Sequence, residues 1–237
     1  MNNPCLRPLA GLMIVIASAT GVHAPVVGQQ APTRVSFPTT DGGLIYADRY
    51  GSGTRGVVLA HGARLNKESW APQAQSLAAA GFLVLAIDFR GYGQSRGPGQ
   101  SDPLSAPLSL DVLGAVRYLR QAGASTVSVI GGSMGGMAAG AAAIAAEPGE
   151  IDGVVLLAAT ANGPPEQLKG RKLFVVARDD TTGNGTRRLV RIQGQFDKAP
   201  EPKQLIVLDG AAHAQWLFLT DQGPRLMDEL LRFLSAP

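Results

Sequence analysis

The residues around Ser133 are arranged as a serine nucleophile requires. The segment Gly131–Gly136 reads GGSMGG and lies between a short apolar run and an Ala-rich stretch that predicts a helix. Its glycines permit a sharp turn from strand to helix, which lifts the hydroxyl above a sheet. The start of the helix adds backbone N–H groups and the positive end of a dipole beside that hydroxyl. The pattern predicts nucleophilic catalysis, and the alternative is a Gly-rich turn whose serine does no chemistry.

A serine nucleophile needs a general base, and the number of histidines restricts the choice. The chain has three histidines, at positions 23, 61 and 213. His23 lies in a predicted leader segment, and His61 directly follows an early apolar run, where we interpret it as a residue that shapes a loop. Only His213 follows Ser133 in the chain order serine, acid, histidine. We therefore predict that His213 is the base.

The acid that orients the base should lie between these two residues, at the end of a strand. The apolar run 172–177 is followed by Arg178, Asp179 and Asp180. Either carboxylate could accept the proton on the far nitrogen of His213 and so fix its tautomer. The other carboxylate would then be a turn or capping residue.

An oxyanion formed by attack of the serine needs backbone N–H donors. One should belong to Met134, the residue after the serine, and the second should come from the loop after an earlier strand. The tripeptide His-Gly-Ala at 61–63 has that position, which makes the N–H of Ala63 the candidate and Arg64 the alternative.

These residues must be positioned by alternating strands and helices. Continuous apolar runs are typical of strands buried on both faces, so the pattern predicts an α/β fold, a mostly parallel sheet with helices on both faces. The first two strands are predicted to form a hairpin. The predicted strands are Val35–Pro38, Leu44–Tyr50, Gly56–Ala60, Phe82–Ile87, Thr126–Ile130, Gly153–Leu157, Lys172–Ala177 and Gln204–Leu208. The predicted helices are Ser69–Ala80, Leu110–Gln121, Met134–Ala146 and Pro224–Leu234.

The ordered motifs resemble the α/β-hydrolase superfamily, in particular serine esterases and dienelactone-hydrolase-like enzymes without a cap domain. They are HGA at 61–63, DFRGYGQS at 88–95, GGSMGG at 131–136, Asp180 and His213, and the similarity spans about residues 35–235. The resemblance implies a sheet of about eight strands, a Ser133–Asp180–His213 triad and hydrolysis through an acyl-enzyme. Relatives often carry Gly-x-x-Asp before the acid. Residues 177–180 keep that spacing with alanine in place of glycine, which favours Asp180. The segment 88–95 is a fold signature in relatives, so Asp88 and Arg90 are interpreted as structural.

The substrate is less closely defined by the sequence. Many α/β-hydrolases insert a cap where this chain has only the short loop Thr160–Arg171, so we expect an open cleft for small or polymeric esters. The segment Gln94–Ser109 could fold partly over that cleft. Trp216 and Arg64 are candidate pocket residues. Arg64 would either pair with an anionic substrate or be solvated.

The N-terminus predicts export. Residues 1–24 combine Arg7, the apolar run Leu9–Ala19 and small-residue cleavage patterns, as in a secretory signal peptide. We expect a disordered segment at 25–33 and a single domain at 34–237, either periplasmic or secreted.

Composition excludes several classes of protein. With 45% hydrophobic and 16% charged residues the chain is not intrinsically disordered, and its single cysteine excludes a disulfide scaffold. The apolar runs are too short for a multi-span membrane protein. The net charge of +3 is too small to argue for nucleic acid, and no metal or cofactor is expected.

We therefore predict a serine hydrolase that cleaves carboxylic esters. A thioesterase, acyltransferase or peptidase with the same triad is the alternative. A third possibility is a binding protein of this fold whose site is unused.

Overall fold

The computed structural model describes Met1, residues 31–102 and residues 105–236. The predicted signal peptide lies outside these ranges except for Met1. The first strand begins at Thr33, one residue before the predicted start of the domain. The strands are β1 Thr33–Pro38, β2 Leu44–Tyr50, β3 Arg55–Ala60, β4 Leu83–Ile87, β5 Thr126–Gly132, β6 Gly153–Leu157, β7 Arg171–Ala177 and β8 Lys203–Leu208.

The strands form one sheet of eight in the order β1-β2-β4-β3-β5-β6-β7-β8. β2 runs antiparallel to β1 and β4, and all other pairs are parallel. The prediction of a mostly parallel sheet of about eight strands is therefore confirmed. Because β3 and β5–β8 are parallel, the loops that follow them meet at one edge of the sheet, where α/β proteins build their sites.

Helices cover both faces of this sheet. Side chains of α2, α3 and α4 join the core on one face, and those of α1 and α5 join the core on the other. The α-helices in the described ranges are α1 Ala71–Ala79, α2 Leu108–Gln121, α3 Met134–Ala145, α4 Arg188–Lys198 and α5 Gly223–Ser235. Three 3₁₀ helices cover Lys67–Trp70, Pro165–Gln167 and Ala214–Leu219.

Helix α4 is absent from the helices predicted from the sequence. Leu189, Ile192 and Phe196 have helical spacing, but only Ile192 is fully buried and Gly194 interrupts the pattern. The helix carries no side-chain N-cap either. Its first residue is instead tied to the end of β7, because the backbone N–H of Arg188 donates to the carbonyl oxygen of Asp180 at 2.9 Å.

Arg90, interpreted above as structural, links three parts of the chain. Its guanidinium is fully buried and donates to Asp111 of α2 at 2.7 and 2.9 Å and to Asp41 of the β1–β2 turn at 2.6 Å. Asp88 lies nearby and accepts the backbone N–H of Lys67 at 2.9 Å.

The connection between β6 and β7 carries no cap domain, as predicted. Between Leu157 and Arg171 the one regular element is the 3₁₀ turn Pro165–Gln167. Within 31–102 and 105–236, no helix is both long and apolar enough to cross a bilayer.

Candidate active site

Ser133 sits on a strained turn between β5 and α3. Its backbone φ of 52° and ψ of −115° lie outside the conformations that an L-residue prefers, which costs roughly 1–3 kcal/mol. Its N–H donates to the carbonyl oxygen of Leu157 at 2.9 Å, which anchors the turn to β6. The turn is also closely packed, since a Cβ at Gly135 would lie 2.2 Å from the carbonyl oxygen of Ala60.

His213 and Asp180 complete a chain of hydrogen bonds with this serine. Nε2 of His213 lies 2.9 Å from Oγ of Ser133, and Nδ1 lies 2.7 Å from Oδ2 of Asp180. An ionised carboxylate only accepts hydrogen bonds, so Nδ1 is the protonated nitrogen and Nε2 accepts the serine proton. The structure thus brings together the three side chains that the sequence singled out as nucleophile, base and acid.

The two neighbouring aspartates occupy different environments. Asp180 is 2% exposed and faces His213, and its other oxygen lies 3.3 Å from Nε of Arg188. Asp179 is half exposed and forms an ion pair with Arg187 at 3.3 Å. Of the two carboxylates, only Asp180 contacts the histidine.

The predicted oxyanion donors are the backbone N–H groups of Met134 and Ala63. Met134 is the first residue of α3, so its N–H has no partner within the helix. Neither this N–H nor that of Ala63 donates to an acceptor in the described part of the chain. The Ala63 loop is positioned by Gln215, whose Oε1 accepts the N–H of Gly62 at 2.8 Å and whose Nε2 donates to Ser69 at 2.7 Å.

His61 lies behind this loop and has the packing of a structural residue. It is fully buried, and its ring meets those of Phe89 and Tyr92 edge-on at centroid distances of 5.1 and 4.7 Å. Nε2 accepts the N–H of Phe89 at 3.3 Å, and Nδ1 lies 2.8 Å from the carbonyl oxygen of Gly62. Burial lowers the pKa of His61 below its ordinary value, so the ring is neutral near neutral pH.

A small pocket of about 60 Å³ opens beside Ser133. Its walls are Met137 of α3, the loop after β6 and the unpredicted helix α4. The predicted pocket residues Arg64 and Trp216 do not line it, and both side chains are exposed. The lining residues are Ser133, Met137, Ala158, Ala159, Thr160, Arg188, Arg191 and Ile192.

Two groups of site residues were not predicted from the sequence, for different reasons. The helical spacing of Leu189, Ile192 and Phe196 could have located α4, and with it Arg188 and Arg191 at the pocket. Gln215 offers no such signal, because its role depends on contacts with residues 153 and 146 positions earlier in the chain.

Backbone strain is concentrated at the same edge of the sheet. Among the described residues, four that are not glycine have a positive φ, with values between 50° and 63°. They are Arg64, Ser133, Ala158 and Ala214, and they lie in the connections that follow β3, β5, β6 and β8. Such strain clusters at functional sites, which makes this edge the candidate active site.

The fold and this edge agree with a known family. A sequence model described as the alpha/beta hydrolase fold matches residues 56–214, more than half of the chain. The chain belongs to the α/β-hydrolase family. The match includes Ser133, Asp180 and His213.

Curated proteins that are similar to this chain include two epoxide hydrolases. Bifunctional epoxide hydrolase 2 of Sus scrofa is 42% identical over 83 residues, 34% of this chain and 14% of the relative. The Rattus norvegicus protein of the same name is 30% identical over 138 residues, 56% of this chain and 24% of the relative. The chain thus spans less than a quarter of the length of these curated relatives.

A solved esterase from Pyrococcus furiosus matches 86% of this chain and 91% of its own, with a TM-score of 0.70 and 17% identity. At that identity the likeness shows the fold alone. The comparisons thus agree on the fold and on membership of the α/β-hydrolase family.

Proposed function

We propose that this protein is a serine hydrolase that cleaves carboxylic esters. The observation that carries the proposal is the hydrogen-bonded chain from Ser133 through His213 to Asp180. Activation of a weak nucleophile by a base that a third group orients is the arrangement that acyl transfer requires.

The proposed mechanism assigns one task to each group. His213 removes the proton of Ser133, whose Oγ attacks the ester carbonyl, while the N–H groups of Met134 and Ala63 hold the oxyanion. His213 then gives its proton to the leaving alcohol, and Asp180 stabilises the imidazolium in between. Water activated by His213 attacks the acyl-enzyme, which releases the acid and restores Ser133.

The epoxide hydrolases among the relatives raise a second kind of substrate. A serine that opened an epoxide would form an ether, and water attacks an ether far less readily than an ester. Attack on a carbonyl instead leaves an acyl-serine that the same histidine can hydrolyse. The presence of serine at position 133 therefore favours esters over epoxides.

Thioesters, amides and acyl transfer to an acceptor other than water use the same groups. They differ from ester hydrolysis in the leaving group or the acceptor, so a substrate panel with product analysis separates them. A binding protein with an unused site would turn over none of these substrates.

The first experiment is labelling of the purified protein with a fluorophosphonate probe, together with hydrolysis of short and long p-nitrophenyl esters and of an epoxide. We expect labelling and hydrolysis of the short esters. Both should be lost in Ser133→Ala and His213→Ala, with rates reduced at least about 10⁴-fold. Ester hydrolysis that persists in Ser133→Ala would overturn the proposal. A folded wild-type protein that is neither labelled nor active would favour the binding protein.

A further inference from the structure

Helix α4 places positive charge at the pocket beside Ser133. Arg188 and Arg191 lie one helical turn apart, and both line the pocket together with the serine. None of the described residues that line it is acidic. The remaining walls are neutral, formed by Met137, Ile192 and the loop 158–160.

The protein pairs the two arginines to different extents. Arg188 lies 3.3 Å from Asp180, but its Nε is buried and makes no hydrogen bond within the described chain. The nearer partner of Asp180 is His213, at 2.7 Å from the other carboxylate oxygen. Arg191 forms no ion pair or side-chain hydrogen bond with any residue in the described ranges.

Other contacts hold α4 at this place. The N–H of Arg188 is fixed to the Asp180 carbonyl, as described above. Gln195 exchanges two hydrogen bonds with the backbone of Ala161, at 2.7 and 2.8 Å, which joins the helix to the loop after β6. Ile192 is fully buried against the core. The backbone that carries the two arginines is therefore held in place, with the side chain of Arg188 partly buried and that of Arg191 exposed.

We propose that the substrate is an ester that carries a carboxylate a short distance from the scissile carbonyl, and that Arg191 and Arg188 bind this carboxylate. The inference rests on the proposed function and specifies its substrate class. A guanidinium recognises a carboxylate by paired, charge-assisted hydrogen bonds, which a neutral group of the same shape cannot form. Because both arginines line the same pocket as Ser133, a short chain between the two groups suffices to reach them.

The test compares esters matched in shape but not in charge. Monomethyl succinate and methyl isocaproate differ by a carboxylate in place of an isopropyl group on the acyl side. Acetoxyacetate and isobutyl acetate make the same exchange on the alcohol side. We expect kcat/KM for the anionic member of at least one pair to exceed that of its neutral partner by roughly 10- to 100-fold. The preference should fall at high salt, because added ions screen the attraction.

Variants of Arg191 test its role, and a variant of the neighbouring Arg187 is the control. Arg191→Gln should reduce the preference about tenfold or more, and Arg191→Lys should retain part of it because the charge remains. Arg187→Gln removes the same charge beside α4 but outside the pocket, where Arg187 pairs with Asp179, so the preference should stay at the wild-type value. Thermal melts establish that each variant is folded.

The outcomes separate this inference from the proposed function. Equal kcat/KM within both pairs, with hydrolysis that still depends on Ser133, would overturn the anionic substrate and leave the esterase intact. An Arg187→Gln variant that lowers the preference as much as Arg191→Gln would also overturn the anionic substrate and leave the esterase intact. Failure to hydrolyse any of the four esters, with no fluorophosphonate labelling, would overturn both.

Discussion

Asp179 and Asp180 are adjacent carboxylates with very different surroundings. Asp180 is buried against His213, whereas Asp179 forms an exposed ion pair with Arg187. An exposed pair of this kind contributes about 0–1 kcal/mol, and it does not touch the histidine. The two residues therefore offer a matched pair of variants.

We expect Asp180→Asn to lower kcat on a short p-nitrophenyl ester by about 10⁴-fold, because the amide cannot favour the required tautomer of His213. Asp179→Asn should change kcat less than about twofold. Steady-state kinetics of both variants check this prediction. Comparable losses in the two variants would contradict the assignment of the acid.

His61 should make stability depend on pH. Its folded-state pKa is lowered by burial, while in the unfolded chain it is about 6.5. Above that value both states are neutral at this residue. As pH falls below it, the unfolded state binds a proton that the folded state excludes, so the free energy of unfolding decreases.

Urea unfolding between neutral and mildly acidic pH measures the effect. The free energy of unfolding should fall more steeply in the wild type than in His61→Gln, by up to about 1.4 kcal/mol per pH unit. All other titratable groups are the same in the two proteins, so the difference between the curves reports on His61. Parallel curves would show that His61 does not contribute to the pH dependence.

At the scale of elements, Gly135 and Gly194 both lie in helices, but only Gly135 has closely packed surroundings. In α3, a Cβ at Gly135 would lie 2.2 Å from the Ala60 carbonyl oxygen and 2.6 Å from that of His61, both in backbone that cannot move away easily. In α4, a Cβ at Gly194 would meet no atom within 4 Å. Substitution by alanine is therefore expected to change the stability in opposite directions at the two positions.

We expect Gly135→Ala to destabilise the protein by more than about 3 kcal/mol, or to prevent folding, through the forced separation of α3 from β3. Gly194→Ala should stabilise it by about 0.5–1 kcal/mol, because alanine favours the helix and restricts the unfolded chain. Thermal or urea unfolding gives both values. A destabilised Gly194→Ala variant would contradict the open surroundings of this position.

The elements of this fold differed in how far the sequence could predict them. Buried strands such as β4 and β6 were predictable because both of their faces are covered, which leaves a continuous apolar run. Helix α4 was not, since it buries only Ile192 completely and is rich in charged residues. Ser133 and His213 were predictable from local motifs and chain order. The pocket wall was not, because α4 reaches it only through tertiary contacts.

At the scale of the whole molecule, Arg90 connects the β1–β2 turn, the end of β4 and helix α2. Its hydrogen bonds lower the pKa of Asp41 to about 2, and its closest buried partner is Asp111. Removal of one partner from a buried ion pair leaves an uncompensated charge, which is far more costly than loss of an exposed pair.

We expect Asp111→Ala to lower the free energy of unfolding by about 3–5 kcal/mol. Asp41→Ala should cost less, because Asp41 is about one quarter exposed and solvent can replace part of its contact. Urea midpoints of the two variants test this order. A reversed order would mean that the turn, rather than α2, provides the main support of the guanidinium.

The difference in packing between α4 and the turn that carries Ser133 has a consequence for how this protein could acquire new substrates. The turn that carries Ser133 is packed so closely that almost any exchange there threatens the fold. Helix α4 lines the same pocket, yet most of its side chains are exposed or only partly buried. Random mutation and selection would therefore find viable variants far more often on α4 than around the serine. Diversity among descendants of this protein should accumulate on that helix while the chemistry beside it stays unchanged.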